Sequence, residues 1–413
     1  MHRIIRTALL AGTALAMMGA AHAKTCKPED FGAAHDGKTL DTAAIQKAID
    51  ACGAGDVILL SQGSYLSGPL TLQSGDTLEV AKGAMLLGTP DHAAYRDAAT
   101  GRPIVPLIGA HDASNITLKG EGTIDGNGAA WWGEFRAAKA AGRDAEYLRP
   151  KMIILDHIEN LTVTGLTLQN SPMFHLVPAA SHNVRIDHLT IKAPGNSPNT
   201  DGIDPSGRDM IFSNLLIDVG DDNIAIKSGR DDKDHPGSAT ANLIIRDCVF
   251  LQGHGLSIGS ETNGGVENVK AENISFNGTK QAIRIKTPRG RGGHVRDISY
   301  HNISMENVGQ AVLITGYYPK IPDTDTAQPA GPRTPDIHNI TIDHLTVKSA
   351  ESAGGLYGLP EKPLHDIVLK DVSIKAKKGL TVRLATGTLQ GSIEAEAGPA
   401  IIAQEAAALT VTK

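Results

Sequence analysis

From Asn115 onward, polar and apolar positions recur in one unit: Asn or Asp, apolar, any, apolar, two polar positions, apolar, any, apolar. It is seen at Asn160-Leu161-Thr162-Val163, Asn183-Val184-Arg185-Ile186, Asp209-Met210-Ile211-Phe212 and Asn242-Leu243-Ile244-Ile245. It continues at Asn268-Val269, Asp297-Ile298, Asn339-Ile340 and Asp366-Ile367, with successive starts 23, 26, 33, 26, 29, 42 and 27 residues apart. Each alternating run is too short for a helix. Short strands repeating at such periods define a solenoid. With three strands per turn and no helices between them, the expectation is a parallel β-helix. One rung cannot bury its own inward side chains, so the core comes from stacking.

The front of the chain reads differently. Asp41 to Cys52 predicts a short helix with Asp41 as N-cap, Gly53 as stop, and Ala44, Ile45, Ala48, Ile49 and Cys52 on one apolar stripe. A single amphipathic helix ahead of a solenoid serves as a lid on its exposed end. Strands are predicted at Val57 to Leu60 and Tyr65 to Leu72. The two longest periods locate insertions at Arg230 to Gly237 and Tyr317 to Pro335. An earlier interruption, Gly128 to Pro150, carries Trp131, Trp132 and a helical stretch around Glu134 to Ala141. All three should project as loops around one face. No linker or low-complexity tract divides the chain, so residues 24–413 read as one domain.

Composition narrows the class. In 413 residues only 4% are aromatic, whereas 45 are glycine, which suits short strands and tight turns. Arg3 and Arg6, the apolar run Ala8 to Ala20 and the small-x-small site Ala21-His22-Ala23 predict a signal peptide over residues 1–23. That implies a secreted or periplasmic protein. No other apolar run is long enough to span a membrane. Losing both arginines takes the formal charge from −6 to about −8. Cys26 and Cys52 flank the predicted helix, and an oxidising compartment permits their pairing. Cys248, in an alternating run, reads as a small buried hydrophobe. No Cys or His spacing suits a metal. The Asp231, Asp232, Asp234 cluster lacks the acidic ligand that ends a calcium loop, so it reads as a solvated loop.

Four pieces between residues 199 and 286 carry candidate chemistry: Asn199-Thr200-Asp201, Gly220-Asp221-Asp222, Gly253-His254-Gly255 and Arg284-Ile285-Lys286. Each sits at the edge of a β-like run. Aligning the runs puts Asp201, Asp222, His254 and Gln281 in one column. Asp204, Ala225, Ser257 and Arg284 form the next, and Ser206, Lys227, Gly259 and Lys286 a third. If each run is one rung, column neighbours lie about 4.8 Å apart. Three carboxylates, an imidazole and two cations then meet on one patch.

Such a patch fits glycosidic hydrolysis, which needs one carboxyl to protonate the leaving oxygen and another to activate water or attack the sugar. Crowded like charges raise at least one pKa and keep one carboxyl protonated. Alone, Asp221-Asp222 reads as a solvated turn, with side chains that diverge in an extended run. Alone, Gly253-His254-Gly255 reads as a tight turn, and Arg284 with Lys286 as a solvated face. Their alignment is what favours a site. Two cations on an acidic chain fit a carboxylate-bearing ligand, with Arg289 and Arg291 as an extension. Trp131 and Trp132 either stack on sugar or anchor their loop.

Taken together, the four motifs in this order on a β-helix repeat resemble the polygalacturonases, family 28 of the glycoside hydrolases. The resemblance runs from about Phe31 to about Lys348. It implies an all-β, single-stranded, right-handed parallel β-helix that cleaves the α-1,4-galacturonosyl bonds of pectin-type galacturonans with water and inversion, without cofactor or metal. By position, Asp221 resembles the general acid, Asp201 and Asp222 the pair that activates water, and His254 the residue supporting the acid. Arg284 and Lys286 resemble the binders of the substrate carboxylate, Tyr317 a groove tyrosine, and Asn199 a residue that orders its loop or touches substrate. Inversion implies carboxyl separations of roughly 6.5–9.5 Å between Asp221 and the other two. The family's later cysteine pairs are missing. The segments around Trp131-Trp132 and Arg149-Pro150 look like bacterial and plant members. Loops walling off the groove favour an exo-acting enzyme. The expected partner is an acidic polysaccharide, with no nucleic acid, no membrane and a monomeric chain.

Three alternatives stay open on sequence. A pectate lyase on the same fold would need an acidic calcium nest and an arginine base. A non-catalytic β-helix would bind polysaccharide without cleaving it. A rhamnogalacturonan hydrolase would share the fold but would not need two cations at a neutral sugar.

Overall fold

The computed structural model describes residues 23–96, 104–229 and 239–412. Most of the predicted signal peptide and the Arg230 to Gly237 insertion lie outside the described residues. Among the described residues the strands join one continuous 28-stranded sheet whose ladders run parallel, coil upon coil. The architecture is a right-handed parallel β-helix, the hand that parallel crossovers favour.

The repeat sets the register. Leu161 pairs with Val184, then Met210, Leu243, Val269, Ile298, Ile340 and Ile367 along one column. Each is at most 2% exposed. Burying a side chain of this size contributes about 1.5–3 kcal/mol. The repeat's second apolar position lies two residues on and also points inward, as Val163, Ile186, Phe212 and Ile245 do.

The polar residue opening each unit has a backbone reason. Asn160, Asn183, Asp209, Asn242, Asn268, Asp297, Asn339 and Asp366 all adopt left-handed φ between 52° and 65°. Asn and Asp tolerate that conformation best among residues with side chains. Stacked corners also bond to one another. The Asn183 amide donates to the Asn160 carbonyl oxygen at 2.6 Å, Asn242 to Asp209 at 2.8 Å and Asn268 to Asn242 at 2.7 Å.

A helix, α1 (Thr42–Ala51), closes the N-terminal end. Ala44, Ile45, Ala48 and Ile49 are buried against the first coils. Asp41 occupies the N-cap position without capping. Its carboxylate instead accepts the Ala34 and His35 amides at 2.7 and 3.0 Å, fastening the preceding loop. A disulfide joins Cys26 to Cys52, with Cα atoms 6.0 Å apart, and Cys248 is buried. The strand expected over Tyr65 to Leu72 splits into Gly63–Ser67 and Leu70–Thr71. Pro69 has no N–H to continue the ladder.

A second helix, α2 (Ala129–Ala140), begins before the predicted stretch. Its two tryptophans anchor it. Trp131 packs 4.1 Å from the His92 ring and edge-on to Tyr95, and the Trp132 indole donates to the Ser171 carbonyl at 3.2 Å. Both are buried, so neither faces a sugar.

Candidate active site

Two of the three predicted columns hold. Ile203 bridges to Ile224, Ile224 pairs with Leu256, and Leu256 with Ile283. This places Asp201, Asp222, His254 and Gln281 at equivalent positions two residues earlier. The next column is also in register, with Ala225 on Ser257 and Ser257 on Arg284. The third is interrupted. The ladder shifts after Ile226, so that Ser228 pairs with Thr262. At Gly259, with φ of 100°, a Cβ would lie 1.9 Å from the Lys286 carbonyl oxygen.

Local chain geometry sets the catalytic edge. Asn223 is fully buried. Its amide donates to the Ile217 and Gln252 carbonyls, and its side-chain oxygen accepts the Gly255 amide at 2.8 Å. The His254 amide donates to the Asp221 carbonyl at 2.9 Å. Gly253, with φ of 120°, lies where a Cβ would meet that same carbonyl at 2.5 Å. These contacts turn the His254 ring onto Asp221.

Asp222 is 1% exposed and carries three donors. Lys286 Nζ lies 2.7 Å from Oδ2, while Ser257 Oγ and Arg284 Nη1 lie 2.8 and 3.3 Å from Oδ1. The donors compensate the carboxylate for the water it has lost. Both predicted substrate cations thus meet Asp222 in the free protein. Arg284 uses few of its donors, and its buried Nε has no partner among the described residues.

Asp221 faces His254, with Nδ1 3.0 Å from Oδ1. Burial pushes its carboxyl up, but the hydrogen bond and charge of His254, then the charge of Lys286, hold it below the usual range. Asp201 goes the other way. Burial, then the charges of Asp204, Asp221 and Asp222, push it well above. The expected divergence of Asp221 and Asp222 does not occur. They sit in a turn ahead of strand Ile224–Ser228, and the Asp222 amide donates back to Asp221 Oδ1 at 2.9 Å. Oxygens of the two carboxylates therefore approach within 4.8 Å, closer than the separation anticipated for inversion.

Four residues that sequence reading gave no role belong here. His175 is fully buried, with its ring Nδ1 3.0 Å from the Asp201 carbonyl, to which its own amide also donates. Burial lowers its pKa to about 4, so it serves as a neutral bracket. Asp204 is 3% exposed, and neither carboxyl oxygen has a hydrogen-bond partner among the described residues. Burial pushes it up to about 7 against the pull of Lys227. Lys227 donates to the Gly259 carbonyl at 3.0 Å and lies 3.3 Å from Glu261. Burial disfavours its charge, but Asp204, Asp201 and Asp222 outweigh that and raise its pKa. Arg149 reaches in from the Gly128 to Pro150 segment and donates to Asn199 Oδ1 at 2.7 Å.

Three expectations shift. Tyr317 is 7% exposed, with its hydroxyl on Asp325 at 3.0 Å. The exposed ring beside Lys286 is Tyr318, 5.3 Å from Nζ. Arg289 is held by Glu361 and Asp325, and Arg291 by Glu261, so neither extends the basic patch. Tyr317, Tyr318, Arg289, Lys320 and Asp323 line a cavity of about 470 Å³ beside Lys286, walled by the second insertion.

A right-handed β-helix carrying clustered carboxyls, an imidazole and two cations on adjacent rungs fits a carbohydrate-active enzyme. Residues 57–388 match the profile of Glycosyl hydrolases family 28. The chain is 32% identical over 367 residues to an endo-polygalacturonase of Pectobacterium carotovorum subsp. carotovorum, covering 84% of this chain and 87% of that one. Its fold is similar to the polygalacturonase from Erwinia carotovora ssp. carotovora, with a TM-score of 0.75, 28% identity and 99% of both chains covered. It is also similar to a hyperthermoactive exopolygalacturonase from Thermotoga maritima, with a TM-score of 0.72, 26% identity and coverage of 89% and 87%. The protein belongs to glycosyl hydrolase family 28 and is a glycoside hydrolase.

Proposed function

We propose that this enzyme hydrolyses α-1,4-galacturonosyl bonds of pectin or polygalacturonate, with Asp221 as acid and Asp201 with Asp222 as the water-activating pair. The contrast between Asp222 and Asp201 carries the reading. Asp222 is met by three donors, from Lys286, Ser257 and Arg284, while burial and the charges of Asp204, Asp221 and Asp222 favour a proton on Asp201. Two crowded carboxyls sharing one proton can orient a water and take its proton as it attacks the anomeric carbon. Asp221 and His254 hold a second proton between them, and that proton passes to the departing glycosidic oxygen. A galacturonate carboxylate supplies the partner that Arg284 Nε lacks. Inversion is proposed from the family resemblance and not from the spacing of Asp221 and Asp222.

Exo action is supported by two insertions flanking the cluster. One delivers Arg149 and the other walls the cavity beside Lys286. Relatives of both endo and exo type exist, so product size decides. Export is supported by the Cys26–Cys52 disulfide, which belongs to an oxidising compartment. A monomer is the default for a solenoid of this size.

The test is digestion of polygalacturonate by wild type and Asp221→Asn, following reducing ends, ultraviolet absorbance, product size and product anomer. The expected result is inverted monomer from wild type, no absorbance, and a loss of at least about 100-fold in the variant. Oligomers early in digestion would replace exo with endo action. A retained anomer would overturn the roles given to the three aspartates. Full activity in Asp221→Asn would overturn the acid.

A further inference from the structure

We propose that Arg149 is a positioning residue for the catalytic acid, acting on Asp221 through Asn199. The proposal rests on Asp221 being that acid. Arg149 comes from the segment that interrupts the coil after Gly128, and its guanidinium is largely enclosed. One face lies 3.8 Å from the centre of the Phe135 ring. Nη1 donates to the carbonyls of Pro172 and Pro198, and Nη2 to Asn199 Oδ1 at 2.7 Å. One side chain thus fastens three consecutive pieces of the wall: helix α2, the turn before His175 and the turn before Asp201.

Asn199 is the piece that matters. Its φ is 54°, so its backbone is bent into the left-handed region. With Oδ1 held by Arg149, the amide Nδ2 can only point the other way. It points at Asp221 Oδ2 from 3.5 Å, a distance typical of catalytic hydrogen bonds that tighten once substrate is bound. Asp221 is then held from both sides, by His254 on Oδ1 and Asn199 on Oδ2. Lysine has the charge but not the planar fork, so it cannot hold two carbonyls and an amide in one geometry.

The groups facing this acid are His254, Asn199, Asp201, Asp222, Lys286 and Arg149. Burial lowers the Arg149 pKa to about 10 against the opposing pull of Asp201 and Asp221, so it stays charged; by the same pairwise attraction its charge disfavours a proton on Asp221. Fork and charge therefore make separate predictions. Losing the fork costs turnover. Losing the charge moves the alkaline limb of activity upward, because the Asp221–His254 pair then keeps its shared proton to higher pH.

The experiment uses Arg149→Lys, Arg149→Met, Asn199→Ala and the Arg149→Lys/Asn199→Ala double variant, assayed on polygalacturonate from pH 4 to 8. Thermal unfolding confirms that each variant is folded. Arg149→Lys should lower kcat by roughly 10- to 100-fold with little change in KM and an unmoved alkaline limb. Arg149→Met should lose at least as much and shift that limb up by roughly half a unit. The double variant should be no slower than Asn199→Ala, since both residues act on one atom. Multiplying losses in the double variant, or a raised KM with unchanged kcat, would overturn the proposal even if Asp221→Asn is inactive. Activity surviving in Asp221→Asn would instead bring down the reading beneath it.

Discussion

Lys286 Nζ lies 2.7 Å from Asp222 Oδ2, with both side chains almost wholly out of solvent. The cation assigned to substrate on sequence grounds is also the counter-ion of the proposed base. Removing one member of a buried pair leaves the other uncompensated, at about 3–5 kcal/mol. Lys286→Met should therefore lose both stability and activity. Adding Asp222→Asn should restore most of the stability and none of the turnover. Urea melts of the two variants check this, and an unchanged midpoint for Lys286→Met would refute it.

His175 and Asp204 impose opposite pH dependences on stability. The unfolded chain protonates His175 near 6.5, but burial holds the folded value at about 4. Its contribution is whole above pH 6.5, is lost as pH falls towards 4, and amounts to roughly 3 kcal/mol. His175→Gln should flatten that acid-side decline in a series of unfolding curves.

Asp204 titrates near 3.8 when unfolded and about 7 when folded. The folded state keeps a proton the unfolded chain has released, so stability falls as pH rises from 3.8 to 7 and levels off above. Asp204→Asn carries no such proton. It should gain most over wild type at pH 7 and above and least near pH 4. A pH-independent difference would show that this carboxyl is not buried as described.

The Cys26–Cys52 disulfide closes a 26-residue separation around α1. Reduction, or Cys26→Ser with Cys52→Ser, should lower stability by about 2–4 kcal/mol. The site lies many coils away, so kcat at low temperature should stay within twofold of wild type.

Asn242 accepts from Asn268, donates to Asp209 and has φ of 60°. Asn242→Ala loses the bonds and is strained as well, and should cost about 1–3 kcal/mol. Asn242→Gly keeps the backbone conformation and should cost less. Denaturant midpoints of the pair test whether strain adds to the lost bonds.

Much of this was legible because a parallel coil turns sequence spacing into spatial address. Once Ile203, Ile224, Leu256 and Ile283 fall in one column, Asp201, Asp222 and His254 follow two residues upstream. The addressing fails where the coil is interrupted, as at Gly259, where the third column breaks. It says nothing about segments that leave the coil. Arg149 lies 50 residues from Asn199 and reaches it from a loop with no period. Tyr317 and Tyr318 are adjacent in such a loop, and only packing decides that Asp325 claims the first and leaves the second beside Lys286. His175 lies on the coil, but nothing in its pattern separates a bracket for Asp201 from any other buried imidazole.

The lid formed by α1 also bears on self-association. Identical coils have matching cross-sections, so an uncovered first rung could receive the last rung of another molecule. Repeated, that contact would grow a fibre. Head-to-tail growth needs both ends of every subunit, and α1 with its disulfide removes one of them. In an enzyme built almost entirely of stacked strands, α1 thus stands where an axial contact between copies would have to form.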